Sequence, residues 1–327
     1  MKDLGVRVLM LLLSISGAVA NVAFAAGYPE RPITLIVGFP AGTASDVAAR
    51  VVAQSMATHL RTAIVVENKP GVSGSLAMSQ FLKAKPDGYS IILSASAPVA
   101  INPHLYKSLG YTSPDSFVHV GQCAWVPLVL LSGQKRDLRS VQDFVRTVKS
   151  EPGTLMYASS GSGTLSHLLM MLLAHRIGAT TLEHIPYSGN HKGLIDLMAG
   201  NVDVMFETLS AARPHIESGK LRALGVSAPE RVSFAPSIPT IEEQGIPNLR
   251  QGAWLGISAP KGTPQAVIEK LHMALNAALS DPKVLKSLEA QGLVAVKSRS
   301  PEDFSRMVSN DYRQWGEVVQ AAGVKVE

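Results

Sequence analysis

The chain has 327 residues, of which 46% are hydrophobic, 17% charged and 6% aromatic, with a formal net charge of +5. Lysine and arginine are spread along the chain without a basic run, which argues against nucleic acid as a partner. Because Cys123 is the only cysteine, an intramolecular disulfide is excluded, and stability must come from a packed core. A mature chain of about 300 residues is long enough for two domains.

A cleaved export signal is predicted over residues 1–25. Two basic residues, Lys2 and Arg7, precede an apolar core, and residues 23–25 form a small-x-small cleavage site. The apolar core is shorter than the roughly 20 residues that a membrane-spanning helix needs. We therefore expect the mature chain to begin near Ala26 and to be exported.

The first predicted unit of the mature chain is a strand, a loop of small residues and a helix. Ile33 to Val37 is a short, β-branched apolar run that is typical of a buried strand. Residues 38–45 let the backbone turn tightly, and Ser45 or Asp46 is expected to cap the helix. Free N–H groups at such a helix start favour a carboxylate or a phosphate. A purely structural strand, turn and helix is the alternative.

Short apolar runs then alternate with helical patterns, which predicts βα units and largely parallel sheets. Three helices close the chain, and each opens with a proline suited to the first turn; they cover residues 264–280, 282–291 and 301–320. The further predicted strands cover residues 63–66, 90–93, 126–131, 155–158, 182–185, 202–206, 221–226 and 254–258.

Two later loops repeat the pattern of the first unit. Ser94 and Ser96 follow the strand predicted over residues 90–93, and residues 157–167 contain a second loop that opens a helix. That second loop has two glycines, four serines and a threonine, so it supplies backbone and hydroxyl donors together. An ordinary capping loop is the alternative for each. Three such loops in one exported chain favour a ligand site.

Catalytic, nucleotide and metal motifs are missing from the sequence. It has no GxxxxGKS/T, GxGxxG, GxSxG or HExxH pattern and no cysteine or histidine ligand spacing. We therefore expect no cofactor, no metal and no enzymatic activity.

Two further residues follow predicted strands. Tyr187 is expected to wall a pocket or to cover the core, and Glu207 to point into a cleft or, more simply, into water.

Nine motifs give the chain a specific resemblance to one family. With them the chain resembles the periplasmic solute receptors of tripartite tricarboxylate transporters, the Bug-type receptors, over essentially the whole mature sequence. The motifs are Tyr28-Pro-Glu-Arg-Pro-Ile33, Gly38-Phe-Pro-Ala-Gly42 with Asp46, Val66-Glu-Asn-Lys-Pro-Gly71, Pro86-Asp-Gly-Tyr89, Ile101-Asn-Pro-His-Leu-Tyr106, Gly161-Ser-Gly-Thr164 with Ser166-His167, Pro186-Tyr-Ser-Gly189, Gly200-Asn-Val-Asp-Val-Met-Phe206 and Gly219-Lys-Leu-Arg-Ala-Leu224.

The resemblance implies an α/β fold of the bilobed periplasmic binding protein type, in which two doubly wound domains are joined by two crossing segments. The crossings are expected near Leu128 and Trp254. Lobe one then comprises residues 27–128 plus 253–327, and lobe two comprises residues 129–252.

The resemblance also implies where a ligand binds. In the family a small carboxylate is held between the lobes by loop backbone, hydroxyl groups and ordered waters. Thr43 stands where relatives usually have glycine, and Glu207 where they commonly have aspartate or asparagine, so the identity of the ligand does not carry over. The implied substrate-binding residues are Phe39, Ala41, Gly42, Thr43, Ser94, Ser96, Ser162, Thr164 and Ser166, with Tyr187 and Glu207 shaping the far end of the site.

The predicted function is that of a monomeric periplasmic receptor. It binds a small organic acid and delivers it to the permease subunits of a tripartite tricarboxylate transporter, without a chemical step. A ligand-binding module that reports carboxylate occupancy to a sensor protein is the alternative. A secreted enzyme is disfavoured because no set of nucleophile, base and orienting group can be assembled. The ligand stays open among tricarboxylates, dicarboxylates, amino acids, aromatic acids and nicotinate-like solutes.

Overall fold

The computed structural model describes residues 27–179, 181–249 and 251–324, and the predicted export signal lies outside them. Among these residues, no helix combines the length and the apolar character that crossing a bilayer requires. The strands are β1 Ile33–Val37, β2 Ile64–Asn68, β3 Ser90–Ala95, β4 Phe117–Val126, β5 Leu128–Ser132, β6 Met156–Ser159, β7 Glu183–Pro186, β8 Val204–Thr208, β9 Arg222–Ser227, β10 Ala253–Pro260 and β11 Val294–Ala295. The helices are α1 Ala44–Leu60, α2 Ser75–Phe81, α3 Asn102–Leu105, α4 Val141–Ser150, α5 Leu165–Ile177, α6 Asn190–Ala199, α7 Leu209–Glu217, α8 Gln265–Ala278, α9 Pro282–Ala290 and α10 Pro301–Ala322.

The strands form two mixed sheets. The first has the strand order β11-β4-β10-β3-β1-β2, and the second has the order β7-β6-β8-β5-β9. In the first sheet β1 is parallel to β2 and β3, whereas β10 is antiparallel to β3 and β4. In the second sheet β6 is parallel to β7 and β8, whereas β5 is antiparallel to β8 and β9. Each sheet therefore joins a parallel part to an antiparallel part.

The antiparallel part of each sheet is where the sequence prediction was wrong. The single strand predicted over residues 126–131 is two strands in different sheets, β4 and β5, separated by Pro127. Proline has no N–H to donate to a strand ladder, so it marks the break. The rest of β4 was not predicted as a strand. It contains His119, Gly121 and Gln122, which interrupt the apolar pattern by which a buried strand is recognised.

The chain passes between the two sheets twice. It leaves the first sheet at Pro127, between β4 and β5, and returns through residues 228–252, between β9 and β10. The division into lobes of residues 27–128 plus 253–327 and 129–252 stays a prediction.

The core is built from helices that cover the sheet faces. Leu35 and Val37 of β1 pack in one apolar cluster with Val52 and Met56 of α1, while Ile36 belongs to the cluster on the other face. The prediction of a strand buried on both faces is thus confirmed for β1. Helix α10 packs against α5, and the second apolar cluster accordingly includes side chains from both sheets.

Candidate functional site

The predicted substrate-binding residues follow the carboxyl ends of parallel strands and form two groups. Residues 39–43 follow β1, and Ser96 follows its parallel neighbour β3. Residues 160–166 follow β6, Tyr187 follows β7, and Glu207 lies near the end of β8, in the order β7-β6-β8. The carboxyl ends of neighbouring parallel strands meet at one edge of a sheet, where α/β proteins bind ligands. Each sheet therefore presents one group at such an edge.

Asp46 holds the loop after β1 in place from inside the protein. Its side chain is 2% exposed, and its Oδ2 accepts hydrogen bonds from the Gly42 N–H at 2.9 Å and from Arg50 Nε at 3.0 Å. Asn68 Nδ2 donates to Asp46 Oδ1 at 2.8 Å and to the Phe39 carbonyl at 3.0 Å. Burial alone would raise the pKa of Asp46, but the donors from Arg50, Asn68 and Gly42 outweigh it and lower that pKa. The carboxylate is a fixed anchor for both ends of the loop.

Thr43 is the cap of helix α1, so the predicted cap at Ser45 or Asp46 is wrong. The helix begins at Ala44, and Thr43 has extended backbone angles with φ −73° and ψ 160°. Its Oγ1 accepts from the Asp46 N–H at 3.4 Å and donates to the Pro40 carbonyl at 2.8 Å. Because that hydroxyl proton is used within the loop, the first-turn N–H groups of α1 are the donors suited to an anion.

The outer face of this loop is open. Ala41 and Gly42 are exposed, and Gly42 has a φ of +80° with no heavy atom within 4 Å of the position that a Cβ would occupy. Glycine adopts that backbone conformation without steric cost. The Phe39 ring lies against Gly74, with its Cζ 3.4 Å from the position of a Cβ there, and Pro98 contacts the same glycine. Phe39 thereby joins the loop after β1 to the segment that follows Ser96.

Ser94 and Ser96 are both buried in the structure. Ser94 is fully buried, and its Oγ accepts from Ser258 Oγ at 2.9 Å. Ser258 Oγ in turn lies 2.9 Å from His119 Nδ1. The hydroxyl of Ser94 thus belongs to a polar chain between neighbouring strands rather than to an open loop surface. Ser96 is 2% exposed and precedes a short helical turn at Ala97–Ile101.

Ser166 is the centre of a hydroxyl network that shapes the loop after β6. Its Oγ accepts from the Ser160 N–H at 3.1 Å and lies 3.2 Å from Thr164 Oγ1. Thr164 Oγ1 donates to the Gly161 carbonyl at 2.6 Å, so its proton is used within the loop. Ser162 is exposed. Thr164 and Ser166 therefore set the shape of the loop, while Ser162 and the first-turn N–H groups of α5 are the donors available to a solute.

Two stacked histidines lie beneath this loop, and no residue spacing in the sequence predicts their contact. The rings of His167 and His184 have centroids 4.0 Å apart and planes 6° apart, and Tyr157 stacks on His184 at 4.8 Å. The Gly163 N–H donates to His167 Nδ1 at 3.1 Å, and Ser159 Oγ lies 2.7 Å from His184 Nε2. Burial, with the neighbouring His184, lowers the pKa of His167 to about 4. The pair is neutral at pH 7 and supports the loop from below.

Tyr187 packs partly against the apolar cluster of the second sheet. Its hydroxyl donates to Asp196 Oδ2 on α6 at 2.6 Å. Burial and this bond to Asp196 raise the pKa of Tyr187 to about 12. The ring is half-buried, so the residue covers the core and keeps one side at the surface beside the start of α6.

Glu207 is 1% exposed, so the simpler alternative, a carboxylate pointing into water, is wrong. Its Oε1 accepts from Asn190 Nδ2 at 2.8 Å, from the Thr208 N–H at 2.6 Å and from Thr208 Oγ1 at 3.0 Å. Its Oε2 is buried and has no hydrogen-bond partner among the described residues. Burial raises the pKa of Glu207 more than these donors lower it. A buried acceptor without a partner is costly, so Oε2 is the unsatisfied atom of this carboxylate.

Comparison with known proteins relates the chain to solute receptors. The family model described as tripartite tricarboxylate transporter family receptor matches residues 48–324. Protein BugT of Bordetella pertussis is 34% identical over 321 residues, which is 98% of each chain. MatC from Rhodopseudomonas palustris, solved with bound malate, is 30% identical with a TM-score of 0.70, covering 89% of this chain and 100% of that one. The R. palustris protein Rpa4515, solved with adipate, is 30% identical with a TM-score of 0.73, covering 91% and 99%.

The fold is the α/β, bilobed periplasmic binding protein fold, with two doubly wound sheets joined by two crossing segments. Open α/β sheets in general bind ligands outside the carboxyl ends of their strands. The chain belongs to the tripartite tricarboxylate transporter receptor family, which includes the Bug-type receptors. The resemblance read from the sequence motifs is confirmed.

Proposed function

We propose that the protein is a periplasmic receptor that binds one small organic carboxylate in a cleft between two lobes and delivers it to the permease subunits of a tripartite tricarboxylate transporter. The lobes are residues 27–128 plus 253–327 and residues 129–252. The observation that carries the proposal is the presence of two pre-shaped donor loops, one at the edge of each sheet. The protein takes no part in a chemical step, and its role is capture and release.

The carboxylate is bound by neutral donors. The Ala41 N–H and the N–H groups in the first turn of α1 face one side of it, and those of α5 with the Ser162 hydroxyl face the other. Helix N-termini favour anions through their free N–H groups and their dipoles. Support comes from the internal bracing of both loops by Asp46 and by Ser166, because a loop that is already ordered loses less entropy when it binds. Phe39 lines the same side, and the buried Ser94 and Ser96 hold the segment behind it.

Glu207 and Tyr187 define the other end of the ligand. The unpartnered Oε2 of Glu207 accepts a hydrogen bond from an ammonium, amide or hydroxyl group of the ligand, and a second carboxylate there is repelled or must be protonated. The proposed ligands are therefore small acids with a donor at the far end, such as amino acids, half-amides or hydroxy acids. The malate and adipate bound to the two relatives are the comparison compounds.

Matched pairs of ligands test this proposal. The mature chain is titrated with each dicarboxylate and its half-amide, succinate with succinamate and adipate with adipamate, together with malate, citrate and neutral amino acids. A ligand present at about 100 times its Kd adds roughly 2.7 kcal/mol to the free energy of unfolding, which thermal denaturation detects. We expect a Kd of micromolar or below, about −8 kcal/mol, and recovery of the ligand unchanged. Failure of every organic acid to stabilise the protein contradicts the receptor function.

Delivery to the permease has its own test. Proteoliposomes that contain the two membrane subunits encoded beside a receptor of this kind should accumulate the identified ligand only when the loaded protein is added. Ligand binding without any stimulation of uptake contradicts the transport role and favours the sensor alternative.

A further inference from the structure

A cavity of about 850 Å³ lies away from the two donor loops. Its walls come from β4, β11 and α10 and from both ends of the segment of residues 228–252 that returns from the second sheet to the first. Trp125, Val232, Val294 and Met307 contribute apolar surface. Within the described residues, its lining includes none of the predicted substrate-binding residues. The volume is within the range of roughly 300 to 1,000 Å³ that is usual for small-molecule sites.

Two polar atoms in the lining are buried and lack hydrogen-bond partners among the described residues: Trp125 Nε1 and Gln251 Oε1. Gln251 is 7% exposed, so its carbonyl oxygen is largely cut off from water. The indole N–H is a donor only, and the amide oxygen is an acceptor only. The residues that line the cavity therefore include one unused donor and one unused acceptor, and each carries a desolvation cost that a hydrogen-bond partner removes.

The backbone directly after Gln251 passes against the Trp125 ring. Gly252 packs on the indole so closely that a Cβ on it would lie 2.8 Å from Trp125 Nε1. A side chain larger than hydrogen at that position would displace the ring. The backbone carbonyl oxygen of Gln251 accepts a hydrogen bond from the Ser227 hydroxyl, which anchors the residue. The Gly252 contact thus positions Trp125, and the Ser227 hydrogen bond positions Gln251.

The charges of the cavity lining largely balance one another. Arg231 Nε pairs with Glu243 at 2.8 Å, Arg306 pairs with Asp303 at 3.1 Å, and Lys297 donates to a serine hydroxyl at 2.6 Å. A neutral hydroxyl leaves Lys297 its charge, but Glu230 in the same lining carries the opposite charge, so an anionic ligand gains no net counter-charge, and most of the remaining lining is apolar. These features favour an uncharged ligand.

One further wall residue is consistent with that conclusion. Asp311 Oδ2 accepts from Trp254 Nε1 at 2.7 Å. Burial raises the pKa of Asp311 to about 7, so its carboxyl carries only part of its charge at neutral pH. It repels an anion and offers a cation less than a full charge.

We propose that this cavity is a second ligand site, for an uncharged and largely apolar molecule with a carboxamide at its polar end. The Trp125 N–H donates to the carboxamide oxygen, and Gln251 Oε1 accepts from the carboxamide N–H. The apolar part of the ligand packs against Val232, Val294 and Met307. The site is separate from the donor loops and does not depend on the proposed carboxylate function.

Benzamide is the probe, with toluene as the comparator that lacks the polar end and benzoate as the anionic one. Trp254 contacts Asp311 in the cavity wall, so a change in tryptophan emission on titration is assigned to Trp125 only where Trp125→Phe removes it. Ligand-observed NMR measures binding in all variants. We expect benzamide to bind more tightly than toluene or benzoate. Gln251→Leu should weaken benzamide roughly three- to tenfold, and Trp125→Phe by a similar factor.

Gln54→Leu is the matched control because Gln54 is exposed on α1 and lines a different surface depression. It should leave benzamide binding unchanged. Gln251→Leu replaces an unpaired buried acceptor with an apolar group, so its thermal midpoint should not fall, and a loss of binding is not a loss of fold. Binding of benzamide that is equal in wild type, Gln251→Leu and Trp125→Phe overturns the proposal, as does a failure of benzamide to bind up to its solubility limit.

Discussion

Asn190 Nδ2 donates to Glu207 Oε1 over 2.8 Å, while Oε2 of the same carboxylate is buried without a partner among the described residues. Asn190 is the first residue of α6, and Glu207 is near the end of β8. Their contact fixes the position of Oε1. Because both oxygens belong to one planar carboxylate, the direction of Oε2 is then fixed as well. This half-satisfied carboxylate is the feature on which the proposed preference for a ligand donor rests.

Glu207→Gln should shift the ligand preference toward dianions. The amide removes the negative charge and offers an N–H where the wild type has an acceptor. We expect the ratio of the dissociation constants of adipamate and adipate to change by about tenfold, which is about 1.4 kcal/mol. Isothermal titration of both ligands measures it. Glu183→Gln, at an exposed position on β7, is the control and should leave the ratio unchanged; an unchanged ratio in Glu207→Gln means that Oε2 does not face the ligand.

His167 should make the protein less stable in mild acid. In the unfolded chain a histidine takes up its proton near pH 6.5, whereas the pKa of folded His167 is about 4. Between these values the unfolded state binds more protons, so the free energy of unfolding rises as the pH increases from about 4 to about 6.5 and is lost as the pH falls through that window. The full effect of this residue is at most about 3 kcal/mol.

His167→Asn tests that pH dependence. Asparagine can still accept from the Gly163 N–H, but it does not titrate. Urea unfolding at pH 4.5 and pH 7 should show a smaller difference in the variant than in wild type. The exposed His59→Asn serves as control and should keep the wild-type difference. The same pH dependence in wild type and His167→Asn would place its origin elsewhere.

Asp46→Asn should loosen the loop after β1. The variant loses the charge that draws in Arg50 and the Gly42 N–H, and an amide group facing Asn68 Nδ2 sets donor against donor in one orientation. We expect a loss of about 1 to 3 kcal/mol in the free energy of unfolding and a weaker affinity for the best organic acid. Asp281→Asn, at the cap of α9, keeps a good capping residue and should leave both quantities almost unchanged. Wild-type affinity in Asp46→Asn would show that the loop does not bind the ligand.

The strands and helices that the sequence predicted well are those with one clear periodic pattern. β1, α8 and α10 lie within two residues of the predicted bounds, because a β-branched run or a proline-opened amphipathic stretch contains the signal locally. β4 was missed because polar residues interrupt it, and its sequence does not state which strand it pairs with. The antiparallel pairs of β4 with β10 and of β5 with β9 depend on where the chain crosses, which is not a local property.

The candidate site likewise has a part that the sequence predicted and a part that it could not predict. The loops after β1 and β6 were found because glycine and hydroxyl residues between a strand and a helix have a recognisable composition. The fixed positions of Asp46 and Glu207 could not be predicted, since they depend on partners 22 and 17 residues away, Asn68 and Asn190. The stack of Tyr157 on His184 likewise requires the register of β6 with β7, and the stack of His167 on His184 brings α5 against β7. Single-residue patterns carry neither.

The N-terminus of the mature protein provides a prediction independent of ligand. Residues 1–25 are expected to be removed during export, because the apolar core is too short to span a bilayer. Mass spectrometry of a periplasmic extract should find a chain that begins near Ala26. An intact Met1 in the membrane fraction would contradict it.

Ser162 and Ser132 should separate ligand affinity from stability. Ser162 is exposed in the loop after β6, so Ser162→Ala removes a donor from the proposed carboxylate site without disturbing the core. The carboxylate left partly unpaired should cost about 1.5 to 3 kcal/mol of binding, or roughly ten- to a hundredfold in Kd, with little change in unfolding. Ser132 is fully buried and donates to the Leu138 carbonyl at 3.2 Å, so Ser132→Ala should lower stability by about 1 kcal/mol and leave the affinity as it is.

Variants of Thr164 test a residue whose hydroxyl shapes the loop after β6 and so acts on both loop structure and ligand affinity. Its hydroxyl donates to the Gly161 carbonyl and lies beside Ser166 Oγ, so Thr164→Ala should weaken binding by loosening the loop, and Thr164→Ser, which keeps the hydroxyl, should restore most of the affinity. A direct ligand contact through the methyl group would instead be lost in both variants. Isothermal titration with the best organic acid and urea unfolding of the four variants distinguish these outcomes. If Ser162→Ala, Thr164→Ala and Ser132→Ala all bind as tightly as wild type, the carboxylate lies elsewhere and the loop after β6 has only a structural role.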